Sequence, residues 1–479
     1  MVTATADDVV ELMLEVPQGQ VISYDLAKLC SALDITDPSR IAVETDGSRR
    51  AIVTIYPSNP LADVRAVTRE DLVMDRRGFI TVGRYHNGRP ARRRLYDPST
   101  GSAQRFLLFG TTGAGKSRTL QMELAAEKIN GIVSFLADLK FGQSVPEARG
   151  NVDWFGTLAE EAILMLRSAV AVAQERMGRY SAMGRTAFVL GRPDPLLHVR
   201  IEEANRLLEK GAPYRDEATY LIRELGRTGR SVGVGLGLSA QASHLEELGG
   251  SDTLRAMLKE GEVTLLRWSS SMMRQLVSDG LLPAAAQLMP IPKTLKPVEL
   301  ISQFDAYDDD EDGHGTQGTA YLLSGNHPTS MMRHWRVGSI EPLPGLDPEI
   351  LDLYGDEEPA RLETASHEAA GLAYECRDDR AAMDALCTAL RGDDTTRTTA
   401  TTTAPTSAGG GAALLEDRVL AALADAADPM SADNVLEAVN ADGGREVKIG
   451  SVRNALVKHT TAGDVVRPPD THGMYALPQ

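Results

Sequence analysis

The stretch Phe106-Leu-Leu-Phe-Gly110-Thr111-Thr112-Gly113-Ala114-Gly115-Lys116-Ser117-Arg118 decides how this chain is read, because an apolar strand empties directly into a G-x-x-x-x-G-K-S loop. Glycines at 110, 113 and 115 let the backbone aim successive N–H groups at phosphate oxygens, which a Cβ would hinder. Lys116 is placed to reach the β- and γ-phosphates of a nucleotide, and the Ser117 hydroxyl to sit on Mg²⁺. The segment from Arg118 to Lys128 holds good helix formers and no breaker, so its N-terminus adds a positive dipole end to the same place. Strand, loop and helix thus follow in the order the motif needs, and residues 110–118 are the expected cradle for ATP with Mg²⁺.

Working outward, 479 residues are too many for one core and suggest two or three domains. The longest apolar runs fall well short of the ~20 residues that a membrane span needs. The opening Met1-Val-Thr-Ala-Thr-Ala-Asp-Asp-Val has neither the basic nor the apolar region of a signal peptide. Cys30, Cys376 and Cys387 stand at no metal-ligand spacing and fit reduced thiols, so a cytoplasmic location is expected. The formal charge of -17 argues against a protein that coats nucleic acid by bulk attraction but leaves local contact open. Acidic blocks such as Asp308-Asp-Asp-Glu-Asp312 read as solvated loop.

Residues 1–75 read as a small α/β region, with a helix near Ala27-Lys-Leu-Cys-Ser-Ala-Leu33 and a strand at Arg50-Ala-Ile-Val-Thr-Ile-Tyr56 that Pro57 stops. Over residues 76–345 short apolar runs alternate with helical segments, the pattern of a parallel sheet covered by helices. Residues 346–411 read as a linker, acidic at first and then rich in Thr, Ala, Pro and Gly. Residues 412–479 read as a compact unit with helices over 414–423, 432–439 and 449–459, then a strand pair near 464–466 and 474–476. That is the winged-helix order, and Ser431 suits the N-cap of its second helix.

Further chemistry clusters at strand ends. Asp138, closing Gly131-Ile-Val-Ser-Phe-Leu-Ala-Asp138-Leu-Lys140, is a candidate to hold Mg²⁺ or its water shell. Leu196-Leu-His-Val-Arg-Ile201 delivers Glu202 as a metal ligand and Glu203 as the general base for the attacking water. His198 and Arg200 interrupt that apolar run. Gln241, after the strand that follows Arg227-Thr-Gly-Arg230, is placed to sense a γ-phosphate, and Arg227 and Arg230 are candidates to reach a neighbouring subunit's nucleotide. Arg267 is a further arginine of that kind. In the last unit Arg445, Lys448, Arg453 and Lys458 make the third helix and its flanks basic, which suits a helix laid in a DNA groove.

With these pieces in order, the chain resembles the FtsK/SpoIIIE branch of the FtsK/HerA ATPases over residues 79–336. The echoes are the phosphate loop, Asp138-Leu-Lys140 at the family's Asp-x-Lys turn, Glu175-Arg-Met-Gly-Arg-Tyr180 in its arginine-tyrosine helix, and Arg227-x-x-Arg230 leading to Ala240-Gln241. The resemblance implies a RecA-like P-loop motor that assembles as a homo-hexamer around double-stranded DNA. It also implies hydrolysis of ATP between subunits by Lys116, Ser117, Glu202 and Glu203 of one chain and an arginine of the next, and a C-terminal winged helix for DNA. The domain plan is also similar to actinobacterial TraB-type transfer proteins, which points to conjugative transfer or chromosome segregation and to a membrane-associated transfer or division partner. Glu202 departs from the family's strand-end Asp. Two other classes carry related features, a secretion ATPase that moves polypeptides and a DNA-binding regulator switched by nucleotide.

Overall fold

The computed structural model describes residues 2–4, 8–45, 48–240, 261–267, 291, 293–295, 314–323, 330–400, 415–424, 426, 428–441, 447–462, 464–466, 468 and 474–477. Gln241, Arg445 and the acidic run 308–312 lie outside the described residues. The chain divides into two compact units, Met1–Asp394 and Thr395–Gln479.

The first unit is built on a ten-stranded sheet. Its strands, in chain order, are β1 (Phe79–Tyr85), β2 (Pro90–Arg94), β3 (Arg105–Gly110), β4 (Val133–Asp138), β5 (Trp154–Gly156), β6 (Leu197–Glu202), β7 (Val234–Ala240), β8 (Glu262–Leu266), β9 (Thr319–Leu323) and β10 (Met331–His334). Across the sheet they run β5-β4-β6-β7-β3-β8-β9-β10-β1-β2. The pairings from β5 through β8 are parallel, and those from β8 through β2 are antiparallel. The parallel sheet expected from sequence is therefore the half from β5 through β8, and β9, β10, β1 and β2 extend it antiparallel.

Strands β3, β4, β6 and β7 are buried along their whole length, because helices cover both faces. On one face Ser134 bonds to Glu127 of the helix Lys116–Ile129. On the other, Phe135 packs against Trp154 and against Tyr374 of the helix Thr364–Glu375. The phosphate loop leaves the C-terminal end of β3 inside the parallel region, where the adjacent β7 and, one strand further, β6 also present their C-terminal ends.

Residues 1–75 hold a separate four-stranded sheet with a small core around Cys30, Ile41 and Val53. The helix Leu26–Ala32 and the strand Arg50–Ile55 fall where the sequence places them. Residues 346–394 do not. The expected linker is helical over Pro348–Tyr354, Thr364–Glu375 and Arg380–Ala400, and Tyr354, Tyr374, Met383 and Cys387 belong to the main core. Charge misled the reading: Glu363 looks like linker acid but pairs with Arg176, whose side chain is fully buried, at 3.0 Å and with Arg179 at 2.9 Å.

In the second unit the helices Leu415–Ala424, Ala432–Ala441 and Ile449–Ala462 surround a core of Val419, Val435, Val452 and Leu456. Met430–Ser431 pairs antiparallel with Met474–Tyr475, and Ala476 bridges to Val466. Ser431 accepts the N–H of Asn434 at 3.2 Å, so it caps the second helix as expected. No helix among the described residues is long and apolar enough to cross a membrane.

The packing of residues 346–394 has a direct test. A chain ended at residue 345 uncovers Phe135 and Trp154 and leaves Arg176 buried without its carboxylate, a loss of about 3–5 kcal/mol for the ion pair alone. We expect residues 1–345 to aggregate and residues 1–394 to unfold cooperatively in urea. Equal folding of the two would refute a structural role for these helices.

Candidate functional site

The phosphate loop is shaped by two left-handed glycines, Gly113 at φ +74° and Gly115 at φ +100°. Gly110 sits close to β8, where a Cβ would lie 3.1 Å from the Cβ of Leu266 and crowd it. The loop is tied down on both sides. Gly318 donates to the Ala114 carbonyl at 2.9 Å, and the Arg267 guanidinium donates to the Gly113 carbonyl at 3.1 Å. Gly115 ends the loop as N-cap of the helix Lys116–Ile129, so the free N–H groups of that helix open where Lys116 and Ser117 begin.

Lys116 is 7% exposed, and its Nζ lies 2.8 Å from Glu202 Oε1 and 3.1 Å from Glu203 Oε1. The Lys140 ammonium pairs with the same Glu203 oxygen. Four residues from three separate stretches of sequence therefore meet at one point. Glu202 ends β6 and is fully buried. Burial raises its pKa, offset only in part by Lys116, so this carboxylate is short of positive charge. Glu203 turns the chain with φ +56°. A left-handed conformation costs a residue with a Cβ about 1–3 kcal/mol, and such strain gathers at functional sites.

The loop forms the floor of a cavity of about 640 Å³ that reaches Thr111, Lys116, Ser117, Arg118 and Lys140 on one side and Trp335, Arg336 and Ile340 on the other. Thr112, Gly113 and Gly115 also line it, while Gly110 and Ala114 support it from behind. Arg118 contacts Asp347 at 2.9 Å. Ser117 and Glu202 offer the oxygen donors that suit Mg²⁺, and the under-compensated charge of Glu202 is the observation that makes the fit. A bound Mg²⁺ would supply charge neutralisation for the phosphates.

Other expected residues stand elsewhere. Asp138 is fully buried and accepts the N–H groups of Lys140 at 3.1 Å, Ser144 at 2.8 Å and Val145 at 3.3 Å, so its oxygens shape the turn instead of facing the cavity. Arg227 is exposed and pairs with Glu224 at 3.3 Å. Arg227 and Arg230 precede the N-terminal end of β7, the sheet edge opposite the phosphate loop, so they do not reach the site of their own chain. Arg267 spends its guanidinium inside the chain, on Gly113, Thr316 and the Lys293 carbonyl. In the second unit Lys448 is exposed beside the helix Ile449–Ala462, which also carries Arg453 and Lys458.

His198 and Arg200, which interrupt the apolar pattern of β6, are explained by what lies above them. Arg200 Nε donates to Glu127 Oε1 at 2.7 Å, and its guanidinium stacks 3.8 Å from the centre of the Phe106 ring. His198 Nδ1 meets the same Glu127 oxygen at 2.8 Å, and Arg93 reaches Glu123 at 3.2 Å. Burial opposes ionisation of Glu127, but Arg200 and His198 outweigh it and pull the carboxyl down to about 2. Room for these side chains comes from β7, where Gly235 and Gly237 stand in register with His198 and Arg200.

Solved structures similar to the chain include the pCW3 conjugation coupling protein TcpA in a monomer form with ATPγS, at 15% identity, 70% of this chain, 87% of that chain and TM-score 0.43. Another is the cytoplasmic domain of the Thermomonospora curvata type VII secretion ATPase EccC, at 19% identity and TM-score 0.42, covering 64% of this chain and 34% of that one. A third is EssC (ATPases 2 and 3) from Geobacillus thermodenitrificans, at 13% identity and TM-score 0.42, covering 68% and 53%. The chain spans about a third of the EccC structure and half of the EssC one. No family model and no curated protein matches the sequence.

Three outcomes follow from this packing. A Cβ on Gly237 would lie 2.5 Å from the Arg200 guanidinium. Gly237→Val is therefore expected to cost about 2–3 kcal/mol in urea unfolding. Gly178→Ala, in a helix with open space around it, is expected to gain up to about 1 kcal/mol. Burial lowers the pKa of His198 and pushes that of His334 to about 3, both from an ordinary 6.5. The unfolded chain takes up protons that these folded histidines refuse, so their contribution is full above pH 6.5 and declines below it. Each adds a slope of up to about 1.4 kcal/mol per pH unit. Urea midpoints from pH 7.5 to 5 should fall less steeply in His334→Asn than in the parent chain.

Proposed function

We propose that the chain is an ATP-driven double-stranded DNA translocase of the FtsK/SpoIIIE type, acting in plasmid or mobile-element transfer or in chromosome segregation. The observation that carries the ATPase part is the meeting of Lys116, Glu202 and Glu203 under the phosphate loop. A nucleotide bound in the cavity places its phosphates on the loop N–H groups and draws Lys116 to them. Glu203 then stands on the γ-phosphate side, the position of a general base for water. Glu202 and Ser117 would hold Mg²⁺. Arg227, which is exposed, and the half-buried Arg230 sit at the end of the sheet opposite the phosphate loop, which supports a role toward a neighbouring subunit in a ring, read as a homo-hexamer.

The DNA part rests on the second unit. Three helices with a small sheet formed by residues 430–431, 474–476 and 466 match the winged-helix order, and Lys448, Arg453 and Lys458 fall on or beside its third helix. A basic helix on an acidic chain favours local phosphate contact over general adhesion.

The test is ATP hydrolysis with and without double-stranded DNA. We expect stimulation by DNA, no turnover in Lys116→Ala, and in Glu203→Gln a loss of about 10²–10⁴-fold with ATP binding retained. Tight binding with no turnover in the parent chain would reject the motor and favour a nucleotide-switched regulator. Turnover indifferent to DNA would leave an ATPase and reject DNA as its track.

A further inference from the structure

Lys140 has no part in the phosphate loop, yet its ammonium pairs with Glu203 Oε1, the oxygen that also accepts Lys116 Nζ at 3.1 Å. The turn that delivers it is fixed from beneath. Asp138 holds the N–H groups of Lys140, Ser144 and Val145, Arg206 donates to the Leu139 carbonyl at 3.1 Å, and the Leu139 N–H donates to the Glu202 carbonyl at 3.3 Å. The reach of Lys140 toward Glu203 is thus set by the end of the very strand that presents the base.

We propose that Lys140 is a positioning residue for Glu203. The inference rests on the ATP-hydrolysis reading above and deepens it. Lys116 is shared by two carboxylates and is also the side chain that phosphates demand. When it moves to them, Lys140 still pairs with Glu203. A carboxylate 2% exposed and close to phosphates meets both desolvation and like-charge repulsion, and an adjacent ammonium offsets both. Lys140 lines the cavity with its side chain 29% exposed, so it follows the carboxylate without leaving its turn. Its effect is on the chemical step, since it touches the base and not the phosphate loop.

The experiment compares steady-state ATP hydrolysis with equilibrium binding of the fluorescent analogue mant-ATP in the full chain. In Lys140→Met the expected kcat falls about 10–100-fold, the loss that follows a misplaced catalytic group. KM and the mant-ATP Kd are expected to stay within about twofold, and Lys140→Arg to restore most of kcat. Lys140→Gln, which keeps a polar side chain in the turn, gives the same reading if the Met variant does not fold. A kcat within about twofold of the parent in either neutral variant overturns the proposal. So does a parallel loss of mant-ATP affinity, which would make Lys140 a phosphate ligand. A parent chain without turnover overturns the hydrolysis reading and this proposal together, and is recognised before any variant is compared.

Discussion

The buried carboxylate of Glu127 ties the helix that presents Lys116 to the strand that presents Glu202. It accepts Arg200 and His198 from β6 and Ser134 from β4, so one side chain links the phosphate-loop helix to two strands of the parallel sheet. A buried ion pair of this kind adds little net stability over an apolar core, but it has a narrow geometry and is costly to break. The arrangement fixes the height and rotation of the helix over the sheet. Lys116, at the start of that helix, consequently comes to rest between the two glutamates at the end of β6. The glycines of β7 belong to the same constraint, since a side chain at 235 or 237 would occupy the space of His198 or Arg200.

Local signals made the phosphate loop, its helix and the small N-terminal elements legible from sequence, because each is decided by neighbours within a few residues. The strand β6 was legible as well, but the reason for its interruptions was not. Histidine and arginine within an apolar run look like a weak strand, and their partners lie 71 and 73 residues away on another element. The glycine alternation in Val234-Gly235-Leu-Gly237-Leu238 was the available clue, since it leaves one face of that strand empty for something large. Residues 346–394 were misread for the opposite reason. Their charge suggested solvent, while their apolar positions serve a core assembled from the far end of the chain.

At the candidate site the sequence showed which residues stand at strand ends but not where they point. Asp138 and Glu202 are paired in register at the ends of adjacent parallel strands, yet one carboxylate serves its own turn and the other faces Lys116. Arg267 stood out as an arginine after a strand, and it anchors the phosphate loop of its own chain. Lys140 was visible only as a base beside an acid. Side-chain direction at a strand end depends on the turn that follows, and nothing within the turn's own sequence reports the oxygen across the gap.

The central claim is that Lys116 exchanges its carboxylates for phosphates while Glu203 stays paired with Lys140. A structure of the chain with a non-hydrolysable ATP analogue and Mg²⁺ tests it directly. The account predicts phosphates on the 110–118 loop, the Lys116 ammonium on their oxygens, and Glu203 still paired with Lys140. An analogue bound away from this loop, or Lys116 still held by Glu202 and Glu203 with phosphates in place, would contradict it.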